Sequence, residues 1–197
     1  MTIAAPGTRP GRPHMLNHVA YVTHDTTATV AFYTNILGMD LVAAIMDDKI
    51  PSTGDPVPYF HSFFRMGDGS TIAFFEAPDL ERLDPPPHPA YDVFRHIALE
   101  VESPAVVDAW HAWLVANDIP VIGPVDHKII YSIYFHDPNG IRLELTTPTD
   151  PAWNNNPDGA AASLREWESV KAAAADTGAD LVHVLADLTR RRSHQRL

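Results

Sequence analysis

The sequence contains no cysteine. Disulfide bonds, thiolate metal sites and cysteine nucleophiles are therefore excluded together. Histidine, aspartate and glutamate remain as the strong metal ligands of this chain. Such ligands favour zinc, iron, manganese or nickel over a metal held by thiolates.

Basic residues are scarce as well. Lysine and arginine number 14 against 25 aspartates and glutamates, so the formal net charge is −11 at pH 7. We therefore expect no nucleic-acid partner, because binding to a phosphate backbone requires a positive surface. The short basic run Arg190 to Arg192 is interpreted as a solvated helix end.

Long apolar segments are also missing. No stretch approaches the length of a membrane span. Residues 1–13 contain proline, glycine and arginine but lack the apolar centre of a signal peptide, so they are predicted to be a disordered lead-in. We expect a cytoplasmic protein that does not contact membranes.

What the sequence does contain is a repeated order of predicted elements. With 197 residues, 45% of them hydrophobic, the chain is long enough for one sizeable core or two small modules that share one. The hydrophobic pattern of residues 14–78 predicts the order strand, helix, strand, strand, strand. Residues 93–150 repeat this order after a proline-rich linker at 79–92. The segments Asn17-His18-Val19-Ala20 and Arg95-His96-Ile97-Ala98 match at the start of each repeat. Two such modules must pack together to bury their sheets, which predicts a domain at 14–150.

Residues 151–197 lie outside the repeat. Their periodicity predicts two helices, at 160–175 and 180–192, and so a C-terminal helical extension. We expect this extension to pack against the sheets or against a second subunit.

The last predicted hairpin carries the most informative pattern. Its turn, Asp137-Pro138-Asn139-Gly140, lies between two runs rich in β-branched and aromatic residues. After the turn, Ile141, Leu143 and Leu145 alternate with Arg142, Glu144 and Thr146, so Glu144 faces away from the side that buries the aliphatic residues. A carboxylate on a rigid strand beside a tight turn is well placed to bind a metal.

The spacing from His127 through Tyr134 and the Asp-Pro-x-Gly turn to Glu144 resembles the signature of the extradiol ring-cleaving dioxygenases. Those enzymes belong to the vicinal oxygen chelate superfamily, together with glyoxalase I and the bleomycin and fosfomycin resistance proteins. The resemblance covers roughly Leu16 to Pro148. It implies an α+β fold in which two tandem βαβββ modules form a curved, partly open barrel.

The resemblance also implies a metal site. Its ligands would be His18, His96 and Glu144, and two imidazoles with one carboxylate leave coordination positions open, as in ferrous oxygenases. The implied cofactor is Fe(II), with Mn, Zn or Ni as alternatives because the same ligands bind several divalent ions. His127 would act as acid and base near a bound oxygen, and Tyr134 would hydrogen-bond a substrate oxygen.

The chain departs from the larger extradiol enzymes at one histidine. The position of a further active-site histidine in those enzymes is held here by Ser70, and His61 on the preceding predicted strand is either its substitute or a pocket-lining or surface residue. Tyr59 and Phe74 are expected among the aromatic residues around the mouth of the pocket.

A second departure concerns the fourth, carboxylate ligand of glyoxalase I. Glu76 falls near that position, but it follows Gly69 by seven residues, whereas Glu144 follows Gly140 by four. The two strands therefore differ in register, and a shift of one residue reverses the face. We interpret Glu76 as a residue that either supports a metal ligand without binding the metal itself or has a structural role.

The expected function is that of an Fe(II)-dependent extradiol dioxygenase, which would cleave a catechol such as a 2,3-dihydroxybiphenyl-like aromatic diol with O2. One alternative is a glyoxalase I-like divalent-metal lyase or isomerase, and another is a protein that binds an aromatic ligand without catalysis. A single pair of modules leaves sheet edges exposed, so we expect a homo-oligomer, a dimer or larger.

Overall fold

The computed structural model describes residues 11–195, with side chains described up to residue 192. Most of the predicted lead-in, residues 1–10, lies outside the described residues. The chain divides into two compact units between Thr147 and Pro148. Within the described residues, no helix has both the length and the apolar character that crossing a membrane requires.

The first module is a four-stranded mixed sheet with one helical segment. In the sheet, the strand order is β1-β4-β3-β2, and β1 runs parallel to β4. The elements are β1 (His18–Val22), α1 (Thr26–Ala31) with a π-helical turn (Phe32–Ile36), β2 (Asp40–Asp47), β3 (Tyr59–Arg65) and β4 (Thr71–Glu76).

The second module repeats this topology, with strand order β5-β8-β7-β6 and β5 parallel to β8. The predicted α+β fold with two βαβββ modules is therefore confirmed. A short helix, α2, begins at the end of the linker, where the hydrophobic pattern of the sequence predicted no helix. The elements are α2 (Ala90–Phe94), β5 (His96–Glu100), α3 (Pro104–Ala116), β6 (Ile122–Asp126), β7 (Ile130–His136) and β8 (Arg142–Pro148).

The first helical segment differs from a regular α-helix, although the apolar residues between Thr26 and Leu37 recur at helical spacing. After α1 the backbone widens into a π-helical turn, closed by a hydrogen bond from Leu37 N to Phe32 O at 3.1 Å. The wider turn brings both Phe32 and Tyr33 into the core. Tyr33 stacks on Phe64 with ring centroids 5.0 Å apart, and Phe32 lies 6.4 Å from Phe135 of the second module. One helical segment thus packs against both sheets.

A buried polar network also joins the modules at the Asp-Pro-Asn-Gly turn. Tyr33 donates its hydroxyl hydrogen to Asp137 at 3.2 Å, and the amide nitrogen of Asn139 donates to Thr29 at 3.1 Å. Thr23 donates to the side-chain oxygen of Asn139 at 2.8 Å. Burial raises the pKa of Asp137 despite the hydrogen bonds that favour its charged form. The turn that follows β7 is therefore held against the first module.

The C-terminal unit contains two helices, α4 (Pro157–Thr177) and α5 (Leu181–Gln195). Helix α4 is longer than predicted at both ends, since Asn156 caps its start and Gly178, with φ 66°, ends it. Helix α5 begins one residue later than predicted and ends three residues later. The basic run in α5 is more than a solvated helix end: Arg192 forms an ion pair with Glu166 and donates to Ser163 at 3.0 Å. These contacts tie α5 to α4.

Candidate functional site

Strand β8 carries the central carboxylate. Because β8 lies between β5 and β7, both of its edges are paired and its side chains are flanked by those of two strands, and residues 142–147 are all buried. Leu143 faces the core, while Glu144 lies on the opposite face of the sheet and is still only 2% exposed. Alternation predicted the face of Glu144, and the position of β8 inside the sheet accounts for its burial.

His96 and Glu144 meet on this face. His96 Nε2 lies 2.8 Å from Glu144 Oε2, because Ala98 of β5 is in register with Glu144. His96 Nδ1 lies 3.2 Å from the carbonyl oxygen of Val93, an acceptor that places the ring proton on Nδ1. A singly protonated ring then points the Nε2 lone pair at the carboxylate. A cation between the two groups would remove the repulsion between this lone pair and the carboxylate. A ring nitrogen that donates to a backbone carbonyl is also typical of metal-binding histidines.

A hydrogen-bonded chain extends from Glu144 to the β6–β7 turn. Tyr134 donates to Glu144 Oε1 at 3.1 Å, and His127 Nε2 lies 2.8 Å from the Tyr134 hydroxyl oxygen. Because the single phenolic hydrogen is directed at Glu144, His127 is the donor in the second bond. Burial, and next the charge of Glu144, raise the pKa of Tyr134, so this phenol stays protonated at neutral pH.

His18 lies on β1 of the other sheet. Its Nδ1 is 2.7 Å from the side-chain oxygen of Asn17, which leaves Nε2 for another partner, and its ring packs edge-on against Phe63 at 5.7 Å. Within residues 11–192, no three histidine, aspartate or glutamate side chains are close enough together to hold a metal ion. One chain therefore brings His96 and Glu144 together but does not add His18 to them.

The register of the two sheets shows which residue of the first module corresponds to Glu144. Glu144 pairs with Ala98, the second residue after His96, and in the first module Ala73 pairs with Ala20, the second residue after His18. The first module thus has alanine where the second has its carboxylate.

Glu76 lies outside this pattern. Its Oε2 accepts a hydrogen bond from the backbone nitrogen of Thr26 at 2.8 Å, at the start of α1. Its neighbour across the sheet is Phe60. These contacts give Glu76 a structural partner at the end of β4, three residues beyond the position that corresponds to Glu144.

His61 is part of an aromatic surface on the first sheet. Its ring stacks on Phe75 at 3.5 Å and lies 4.1 Å from Phe63, while Nδ1 is 3.0 Å from Phe74 O. Burial lowers the pKa of His61, so the ring is neutral at pH 7. Tyr59 continues this surface through an edge contact with Phe75 at 5.3 Å.

Two residues expected near the pocket lie elsewhere. Phe74 is fully buried in the core and packs against Tyr33 at 5.1 Å, because its parity on β4 is opposite to that of Phe75. Ser70 lies in the β3–β4 turn, where its hydroxyl donates to Asp68 at 2.6 Å. Phe74 therefore cannot line the mouth, and the Ser70 hydroxyl is engaged by the turn.

The sequence reasoning missed Arg142. Its side chain lies on the face of Glu144, and its guanidinium carbon is 4.5 Å from the centroid of the Tyr134 ring. Arg142 is 8% exposed, and its Nε is buried without a hydrogen-bond partner in the described part of the chain. The alternation along β8 was a sufficient signal, since Arg142 precedes Glu144 by two residues.

Comparisons with known proteins agree with this architecture. A family model described as "Glyoxalase/Bleomycin resistance protein/Dioxygenase superfamily" matches residues 15–145. A curated relative, the metallothiol transferase FosB of Staphylococcus epidermidis, is 28% identical over 67% of this chain and 82% of its own length. A glyoxalase/dioxygenase structure from Nostoc punctiforme is 25% identical, covers 75% of this chain and 99% of its own, and has a TM-score of 0.55. A lactoylglutathione lyase from Agrobacterium tumefaciens shares the fold, with 23% identity, 74% and 99% coverage and a TM-score of 0.50.

Proposed function

The chain belongs to the glyoxalase/bleomycin resistance protein/dioxygenase superfamily, and we propose that it is a divalent-metal enzyme that cleaves the ring of a catechol with O2. The carrying observation is the hydrogen-bonded chain from His127 through Tyr134 to Glu144, which also contacts His96. It supports the proposal because it brings an imidazole and a phenol next to two side chains of types that bind metals.

The residues fit a divalent metal. His18, His96 and Glu144 would hold it, and both imidazoles have Nδ1 engaged by an oxygen, which orients Nε2. Two histidines and one carboxylate suit Fe(II), with Mn, Zn and Ni as alternatives. When bound, the metal would supply a Lewis acid that holds two adjacent oxygens of the substrate. The alanine at position 73 provides no fourth carboxylate, which disfavours a glyoxalase I-like ligand set.

The protein groups have separate tasks. Tyr134 remains protonated and orients one oxygen of Glu144, while the other oxygen faces His96. His127 carries its proton on Nε2, next to the Tyr134 hydroxyl, where it can donate to and recover a proton from a substrate oxygen. Burial of Glu144 and Tyr134 limits the access of water to this end of the sheet.

A second copy of the chain would complete the site. Strands β1 and β5 each hydrogen-bond to one neighbour and are the outer strands of their sheets. His18 and His96 are both exposed, and Phe94 beside β5 is 79% exposed. We therefore place His18 of one protomer opposite His96 and Glu144 of its partner, which also covers open sheet edges.

Subunit complementation would test this arrangement. His18→Ala and Glu144→Ala should each abolish stoichiometric Mn²⁺ binding, because each removes one ligand from every site. A dimer that contains one chain of each kind has one intact site and one site without both ligands. Mn²⁺ binding, measured by calorimetry on co-expressed and differentially tagged mixed dimers, should therefore return to half of the wild-type stoichiometry.

The matched control combines His96→Ala with Glu144→Ala. These residues lie on the same face of the same chain, so each site of that mixed dimer lacks a ligand and binding should stay lost. Equal recovery in both mixtures, or none in the first, would contradict a site shared between two chains.

Oxygen uptake tests the reaction itself. The dimer is loaded with Fe(II) without air and offered 2,3-dihydroxybiphenyl, catechol and 3,4-dihydroxybenzoate separately. We expect one O2 to be consumed per molecule of each diol that the site accepts, with a yellow product, and no uptake by the metal-free Glu144→Ala variant. An iron-loaded protein that consumes no O2 with any diol would refute ring cleavage and leave the metal site standing.

Addition of a thiol to a chelated small molecule is the second candidate. The observation in its favour is the similarity to curated proteins named metallothiol transferase. This reaction would use the same three ligands without consuming O2. Loss of free thiol from an anaerobic mixture with Mn²⁺-loaded protein and an epoxide would distinguish it from ring cleavage.

A further inference from the structure

Arg142 is a buried cation on the face of the candidate site. Only 8% of the residue is exposed, and its Nε is buried without a hydrogen-bond partner among the described residues. Among these residues, no aspartate or glutamate lies within ion-pair distance of its guanidinium. Its guanidinium carbon lies over the face of the Tyr134 ring, 4.5 Å from the ring centroid.

This arrangement is costly without an anion. A buried charge is tolerated when it is paired and hydrogen-bonded, and a guanidinium carries five donors in a planar fork. The contact with an aromatic ring compensates for only a part of the lost hydration. Glu144, the nearest carboxylate along the strand, directs its two oxygens at Tyr134 and His96 instead.

The position of Arg142 relative to the metal-binding residues is set by the sheet. His96 is in register with Arg142, and Glu144 follows Arg142 by two residues on the same face. The corresponding residue of the first module is Thr71, which pairs with His18. The second module therefore has a cation on the face that carries Glu144, whereas the first module has a threonine at the corresponding position.

We propose that Arg142 binds an oxyanion of the substrate, a carboxylate or a phosphonate, beside the oxygens that chelate the metal. The two groups share the chemistry that a guanidinium recognises, with two oxygens that accept parallel hydrogen bonds. The inference rests on the proposed metal site for the orientation of the substrate. It narrows the substrate to a small molecule that carries a negative group in addition to its chelating oxygens.

Ligand-observed NMR titration of the full-length, metal-free protein tests this inference. The probes are benzoate, which carries a carboxylate, and methylphosphonate. We expect saturable binding of at least one probe and a dissociation constant about 10- to 100-fold higher in Arg142→Gln, the range typical of a charge-assisted pair. The preferred probe identifies the anion. Arg142→Lys keeps the charge but not the fork and should fall between the two.

Arg65→Gln is the matched control. Arg65 forms an exposed ion pair with Asp40 on the first sheet, so its replacement should leave probe binding unchanged. Circular dichroism on each variant verifies folding, and Arg142→Lys retains a test if Arg142→Gln does not fold. A wild-type protein that binds neither probe, or equal binding by wild type and Arg142→Gln, would overturn the inference.

A parallel Mn²⁺ titration separates the two proposals. If Mn²⁺ binds and the probes do not, the metal site stands and the role of Arg142 is refuted. If the probes bind through Arg142 and Mn²⁺ does not bind to the wild-type dimer, the anion site stands and the proposed metal enzyme is refuted.

Discussion

Replacing His127 by glutamine is expected to lower turnover by about two to four orders of magnitude while metal binding remains, the range for loss of a general acid/base. His127 hydrogen-bonds Tyr134 and has no bond to His96 or Glu144 among the described contacts, so the side chains proposed to bind the metal keep their geometry. Glutamine can still donate a hydrogen bond to the phenol but cannot take up a proton near neutral pH. The measurement is kcat of the Fe(II)-loaded protein with the diol that supports uptake, together with the iron content of the same sample.

His183→Gln serves as the control for this experiment. His183 is an exposed histidine of α5 that pairs with Asp187, and its replacement should leave kcat unchanged. Wild-type turnover in His127→Gln would refute the acid/base role. Loss of iron in His127→Gln would instead show that the residue acts by supporting the ligand set through Tyr134.

Replacing Asp137 by asparagine is expected to lower the free energy of unfolding by about 2–4 kcal/mol, the cost of leaving two buried donors unpaired. One oxygen of Asp137 accepts from the backbone nitrogens of Asn139 and Ile141, both at 2.8 Å. The other accepts from the Tyr33 hydroxyl at 3.2 Å and the Asn139 amide at 3.0 Å. Asparagine would put an NH2 group where this second oxygen accepts two hydrogen bonds.

Urea unfolding of wild-type and variant protein measures this difference. Tyr33→Phe removes one of the donors and should cost less, about 1 kcal/mol. Asp150→Asn is the control, because Asp150 accepts a bond from Ala152 N in an exposed turn, and it should change stability by less than about 0.5 kcal/mol. A stability of Asp137→Asn within that margin would contradict the proposed role of the network.

The Asp-Pro-Asn-Gly segment thus has a structural task. Asp137 and Asn139 connect it to Tyr33, Thr29 and Thr23 of the first module. This connection fixes the start of β8 at Arg142 and therefore the position of Glu144, two residues later.

The sequence alone determined the repeated modules and the order of their elements, since periodicity and the matching segments at His18 and His96 are local properties, and the fold class was implied by the family resemblance. It also determined the face of Glu144, because alternation along a strand does not depend on the rest of the fold. The residues proposed for the metal and for acid/base chemistry came from the resemblance of the last hairpin to the extradiol signature.

Tertiary structure decided what depends on strand order and register. Placing β8 between β5 and β7 helps to bury Glu144 and Arg142 and brings Tyr134 and His96 to one carboxylate, with His127 linked to it through Tyr134. The parity of β4 sends Phe74 to the core, and the separate sheets keep His18 away from its expected partners within one chain. These outcomes rest on contacts between residues far apart in the sequence, which local patterns of hydrophobicity cannot specify.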